Sequence, residues 1–429
     1  MISTSKHRAI LLSVFVIYAI STWTSRAGIE IFGPLSSLIG ITYFIRTKDT
    51  EIFRNLARIY PWKIIAGLLF ITALGLIVNG PTKANLVKPL LSQSYMIYFF
   101  FWAALFCKFK FDRKYLFGSL TLIGLLALYA FSQSFTGIDL LRPGQIRAVI
   151  PVGDGRDGLF RSAGTLDNAI YYATVAGLQA CIIFAFLPMI KKNFGITLFY
   201  FAALVGSIVF ASVITSYTRS AWASLPVALV AMTYLIKPKA AVKTAIAGIF
   251  IVCCLLSVSS AFRSRSQSVF DSSNSSNSYR VVLWKLNWKM FLDHPVLGVG
   301  YLQSEIRAPE YASKIDQPVE FISHSHSNYL EMLSSTGLAG FTLFLMLIIY
   351  MLKITLELFR LAKPQSWWKA FSIGAFGAQI HFHLGGFTDV TIRALPSIHT
   401  LMLIWGAVLA GHYINSRQQL KVGARLSTI

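Results

Sequence analysis

Two histidines, His324 and His326, head the stretch HSHSNYLEMLSSTGLAG, which closes on Gly337-x-x-Gly340 as a long apolar run begins. A chain with only 8 histidines that sets a pair where it leaves water is either displaying surface residues or holding a base at a membrane face. Imidazole is the side chain whose neutral, proton-accepting form is plentiful near pH 7. Arginines stand on other outer segments: Arg219 in SYTRSAW, and Arg142, Arg147, Arg156 and Arg161 within 136–168. A guanidinium is a planar fork that grips phosphate in a bidentate manner. The alternative use of these arginines is pairing with nearby acids such as Asp139, Asp154 and Asp157. A further polar point, HFHLGGFTDVTIRALP, contains His381, His383, Asp389 and Arg393. Two positions on a helix diverge by roughly 200 degrees, so His381 and His383 cannot chelate one ion and read as packing residues. Asp389 could orient His326 or a substrate hydroxyl, although a solvated charge at a helix end is the simpler reading.

These side chains need a scaffold, and composition defines it. Apolar residues make up 55% of the chain and charged residues 13%, with a mean hydropathy of +0.61. About a quarter charged is usual for a soluble protein. The apolar residues fall in blocks of about the 17–25 that cross a bilayer as helix. Twelve spans are expected, near 9–24, 29–45, 62–78, 92–107, 115–135, 169–190, 195–214, 221–236, 240–262, 337–352, 367–387 and 395–414. The fold class is therefore all-α and polytopic. Lys6, His7 and Arg8 precede the first span without a small-residue cleavage site, so that span reads as a retained helix.

Charge sets the expected orientation. With the N-terminus inside, 15 Lys and 8 Arg fall on inner segments, against 5 Lys and 11 Arg on outer ones. Inner lysine is the ordinary topology signal; outer arginine needs another reason, and an anionic ligand supplies one. Cys107, Cys181, Cys253 and Cys254 lie in or beside spans and suggest no disulfide framework. No Cys/His cluster has zinc-ligand spacing.

Three regions follow: spans one to nine over 1–262 with an outer loop near 136–168, a large outer loop over 263–335, and the last three spans with a tail over 336–429. In the large loop, RSRSQSVFDSSNSSNS reads as a flexible linker. Ser278 can then cap a helix with Val281, Trp284, Trp288 and Phe291 on one stripe, suited to a bilayer interface or to packing. Ser323 or Ser325 can cap the next helix, placing His326 in its first turn. Gly337 and Gly340 would let the tenth span pack closely.

Together these pieces resemble the O-antigen ligase family, within the O-antigen ligase/polymerase superfamily of bacterial envelope glycosyltransferases. The family signature, a histidine and a small polar residue, nine residues, then Gly-x-x-Gly, is met by His326-Ser327, 328–336 and Gly337–Gly340. His324 is out of that register. Arg219 in YTRSA and Arg280 in SYRVVLW, followed by HPVLGVG, match two family arginines, and FRSAGTLDN around Arg161 and Asn168 resembles a weaker motif.

The resemblance implies a fold like the membrane-embedded glycosyltransferases that use lipid-linked sugars. It implies a multi-pass protein of the bacterial inner membrane with its active site facing the periplasm. There an undecaprenyl-pyrophosphate-linked O-antigen glycan would pass to a hydroxyl of lipid A–core oligosaccharide. On this reading His326 is the general base, Arg219 and Arg280 hold the pyrophosphate, and Arg161, Arg142, Arg147, Asn168 and Asp389 contact substrate. No metal, cofactor or nucleic acid is implied; the partners are donor, acceptor and membrane lipids, and one-step displacement would invert the anomeric carbon. An O-antigen polymerase or a protein O-oligosaccharyltransferase would share the arginines, whereas the histidine motif favours the ligase. A transporter or flippase would instead show repeat symmetry and polar sites at mid-membrane, and neither is visible here.

Overall fold

Apolar runs inside hydrocarbon have no water to satisfy their backbone, so they must close their hydrogen bonds internally as helices. The computed structural model describes residues 4–48, 50–79, 87–108, 112–143, 149–152, 158–269, 275–314 and 323–426. The helices are α1 (Thr4–Thr24), α2 (Arg26–Thr47), α3 (Thr50–Ile59), α4 (Trp62–Asn79), α5 (Val87–Leu91), α6 (Tyr95–Phe106) and α7 (Arg113–Thr136). After a two-stranded hairpin, β1 (Ile150–Pro151) and β2 (Phe160–Arg161), come α8 (Ala169–Phe194), α9 (Ile196–Thr215), α10 (Arg219–Ile236) and α11 (Pro238–Val258). The remainder is α12 (Ser260–Gln267), α13 (Ser275–Asp293), α14 (Ser304–Lys314), α15 (Asn328–Leu361), α16 (Trp367–Gly385) and α17 (Leu395–Leu426).

Each of the twelve expected spans falls on a helix, and the protein is an all-α polytopic membrane protein. Among the described residues, 11 segments are long and apolar enough to cross a membrane. The segment outside that count is α16, diluted by Lys369, Gln379, His381 and His383. It is nonetheless packed between α8 and α10, with most of its residues buried. Small residues allow this approach: a Cβ on Gly177 of α8 would lie 2.1 Å from His381 Nε2. At the other extreme α11 buries only Ala241, leaving an apolar surface suited to lipid.

The large loop is more ordered than its composition suggests. The stretch expected to be a flexible linker begins as α12, capped by Ser259, whose Oγ accepts from Phe262 N at 3.1 Å. Ser278 lies inside α13, which starts at Ser275. The buried face of α13 is Leu283, Leu286 and Met290, packed on Tyr311 of α14. Val281 and Trp288 of the expected stripe are exposed, so that stripe is not the packing face.

The most consequential backbone feature is a break inside α15. Gly337 takes φ 63°, interrupting the helix. A helix broken at membrane depth must find other partners for its freed groups, and residues 295–300 supply them. Val299 N and Gly300 N donate to Ser334 O and Ser335 O at 2.8 and 3.0 Å, while Leu338 N and Ala339 N donate to Pro295 O and Val296 O at 2.8 and 3.2 Å. The two backbones touch. A Cβ on Gly337 would meet the Val296 carbonyl at 2.3 Å, and one on Gly298 would meet Thr336 N at 2.4 Å. Gly337 therefore serves a crossing of loop and helix rather than helix-on-helix packing.

Gly337→Ala should lower the thermal unfolding midpoint in detergent by the equivalent of about 2–4 kcal/mol, since strain at positive φ adds to a backbone clash. Gly118→Ala, where a Cβ meets nothing within 4 Å on an α7 face, should be neutral or raise the midpoint by up to about 1 kcal/mol. Equal midpoints for the two variants would contradict this account.

Candidate functional site

Several chain segments meet at one end of the bundle, and polar side chains close the contacts between them. The carboxylate of Asp389, in the α16–α17 connection, lies at the centre. Its residue is 2% exposed, so it is no solvated helix-end charge. Arg280 of α13 donates from Nη2 to Asp389 Oδ1 at 3.1 Å, and Ser220 Oγ of α10 donates to Oδ2. His326 Nδ1 lies 4.0 Å from Oδ1, too long for a hydrogen bond, and is buried with no partner among the described residues. The imidazole side chain as a whole is 22% exposed.

His326 does not occupy the first turn of α15. Ser327 is the N-cap, its Oγ accepting from Leu330 N at 3.4 Å, and His326 precedes it with φ 48°. A left-handed histidine is uncommon and needs support. His324 gives it: its Nδ1 accepts from His326 N at 3.3 Å and the two rings meet edge to face, 4.4 Å between centroids. Burial first, then the neighbouring His326, hold the His324 imidazole well below its ordinary range, keeping it the neutral acceptor this contact requires. The histidine outside the family register thus shapes the one inside it.

Asn328 fixes this corner to the Asp389 connection. Its Oδ1 accepts from Thr391 N and Ile392 N at 2.8 and 3.1 Å, its Nδ2 donates to Thr391 Oγ1 at 2.9 Å, and its backbone N donates to Gly386 O at 2.7 Å. Beside it a second buried ion group forms: Arg393 Nη1 lies 2.9 Å from both Glu331 Oε1 and Glu305 Oε1. The polar stretch HFHLGGFTDVTIRALP is therefore split. Asp389 faces His326 and Arg280, Arg393 faces glutamates, His381 bonds Ser224 through Nδ1 at 2.8 Å, and His383 packs beside Trp405.

The arginines separate likewise. Arg219 opens α10 and both its Nη groups are engaged, with Nη1 on Ser268 O and Oγ at 3.1 and 3.2 Å and Nη2 on Asn277 Oδ1 at 2.9 Å. Arg161, on β2, feels the charges of Asp389, Arg219 and Arg280; burial chiefly lowers its pKa from the usual arginine value. Arg142 stands apart, bonded to Asp139 at 2.8 Å and to Gly164 O at 2.8 Å, the acid-pairing use the sequence left open. Asn168 caps α8 by accepting from Ile170 N at 2.7 Å. Arg147 and Arg156 lie outside the described residues. One member was not singled out in the sequence: Arg265 of α12, which feels Arg161, Arg219, Arg280 and Asp389. Its signal, RSRSQS, was hidden in a stretch whose serines suggested a linker.

Among the described residues the assembled site is a positive basin: Arg161, Arg219, Arg265 and Arg280 around a single carboxylate, with one imidazole at its edge. Such a basin can hold an anion and neutralise charge developing on a leaving group. Among the described residues no group of three or more His, Cys, Asp or Glu is placed to hold a metal ion.

Asn328→Ala should strand buried donors of the Asp389 connection and cost about 2–4 kcal/mol. The same variant should reduce turnover even below its unfolding temperature, measured by transfer assays across a temperature series. A variant as stable and active as wild type would show that this connection does not set the site.

Comparison with known proteins points the same way. No curated protein matches the chain. Residues 202–345 match the family model described as O-antigen ligase, a segment from α9 into α15 that includes Arg219, Arg265, Arg280, His326 and the Gly337 break but neither Arg161 nor Asp389. Through this segment the chain is similar to the O-antigen ligase family.

Proposed function

We propose that this protein is a glycosyltransferase that moves an undecaprenyl-pyrophosphate-linked O-antigen glycan onto a hydroxyl of lipid A–core oligosaccharide, at the periplasmic face of the inner membrane. The observation carrying this reading is the basin itself: among the described residues, four guanidinium groups and a half-buried imidazole around one buried carboxylate. A lipid diphosphate leaves as an anion, and fixed cations lower the cost of that charge. Arg280 and Arg161 face the pyrophosphate, and Arg219 adds its charge from the wall. This role is not extended to Arg142, whose guanidinium is held by Asp139.

The catalytic step balances on one proton. An acceptor hydroxyl oxygen attacks the anomeric carbon as the bond from that carbon to the pyrophosphate oxygen breaks, with inversion. His326 takes the hydroxyl proton at Nε2. Asp389, 4.0 Å from Nδ1, favours the tautomer with its proton on Nδ1 and steadies the imidazolium that forms. Catalytic contacts of this kind are often long before substrate binds and tighten afterwards. Undecaprenyl pyrophosphate departs, and no metal enters the step.

His326→Ala should reduce turnover in detergent about 10²–10⁴-fold, the usual range for a positioned general base, with folding intact by thermal unfolding. Turnover close to wild type would remove His326 from the chemistry. In cells, loss of the protein should leave lipid A–core bare while lipid-linked polymer accumulates. Core bearing one repeat would instead assign the chain to the polymerase reaction of the same superfamily.

A further inference from the structure

Arg161 and Arg265 come to the basin from different elements, β2 and α12, yet are held in the same manner. Each donates its Nε to a carbonyl of the α9–α10 turn: Arg161 to Ser216 O at 3.3 Å and Arg265 to Tyr217 O at 3.4 Å. The turn is rigid. Tyr217 has φ 50°, a left-handed state that an aromatic residue keeps only when its surroundings fix it. Those surroundings are Val152 of the hairpin, Ala261 of α12 and the Trp222 ring 5.8 Å away, itself packed on Phe262 at 4.2 Å. With Nε bound, the Nη groups of Arg161 and Arg265 have no partner among the described residues. The Nη groups of Arg219, by contrast, are committed to Ser268 and Asn277. The carboxylate at the centre, Asp389, is already bound by Arg280 and Ser220.

We infer that Arg265 is a direct pyrophosphate-binding residue, forming with Arg161 a two-forked seat on consecutive carbonyls of the α9–α10 turn, and that Arg219 is a positioning residue tying α10 to α12 and α13. The inference rests on the functional reading above and reassigns work within it. A guanidinium anchored at Nε presents its two Nη groups side by side, the edge that meets two phosphate oxygens at once. Two such edges on neighbouring carbonyls match an anion with two phosphates. Arg265 is also crowded by like charge: burial first, then Arg161, Arg219 and Arg280, lower its pKa to about 10, so at neutral pH it stays protonated and an incoming anion relieves the repulsion.

The test uses the full chain purified in detergent and inorganic pyrophosphate as the probe, with binding read by calorimetry and folding by thermal unfolding. Arg265→Gln should weaken binding about ten- to a hundredfold, as expected for losing a charge-assisted bidentate contact. Arg265→Lys, which keeps the charge and loses the fork, should fall between Gln and wild type. Arg263→Gln, an exposed neighbour in the same helix that bonds Leu256 O and Ser257 O, should bind as wild type. Arg219→Gln should lower the unfolding midpoint more than Arg265→Gln does and weaken binding less. If Arg265→Gln or Arg265→Lys bound within about twofold of wild type while Arg280→Gln lost binding, the role of Arg265 would be overturned and the functional reading kept. If the wild-type chain bound no pyrophosphate, the functional reading itself would fall.

Discussion

Burying a carboxylate costs several kcal/mol unless charge and hydrogen bonds compensate it, and Asp389 is buried at the meeting point of four chain segments. Its two oxygens are answered by Arg280 from α13 and Ser220 from α10, while His326 stands beside it from the approach to α15. The same charge steadies Arg161, Arg219 and Arg265, whose mutual repulsion would otherwise drive their elements apart. Among the described residues, a single negative charge stands among four positive ones, which makes the basin cationic. That imbalance favours an anion.

The site also depends on how the membrane helices end. The break at Gly337 lets residues 295–300 bond directly to the backbone of α15. Arg280 rides on α13, which leads into that loop, so its position relative to α15 is fixed by backbone hydrogen bonds rather than by flexible side chains. Asn328 makes the complementary attachment on the other side, joining the start of α15 to the connection that carries Asp389. Imidazole and carboxylate are therefore held by rigid main chain on both flanks, as preorganised electrostatics require.

Much of this was legible in the residues alone. Hydrophobic blocks of bilayer length specify helices because nothing else satisfies a backbone in hydrocarbon, and all twelve fell on helices. Arg219 and His326 stood out as ionisable residues where apolar runs begin, and Arg280 only through the family resemblance. What misled was local composition. Serine-rich sequence around Arg265 reads as linker, yet Ala261 and Phe262 pack against Tyr217 and Trp222 and pull it into a helix. Asp389 reads as a solvated end charge because one chain segment carries no sign of the arginine that will face it.

By itself the sequence determined that the chain is a helical membrane protein with arginine concentrated on the segments between certain spans, because period, length and charge are properties of short stretches. Only the tertiary structure decided which arginines act together. It gave Arg142 to Asp139, set Arg219 into the wall and left the forks of Arg161 and Arg265 unclaimed. Those outcomes turn on a few ångströms between residues scores of positions apart, a distance that packing fixes and local pattern does not encode.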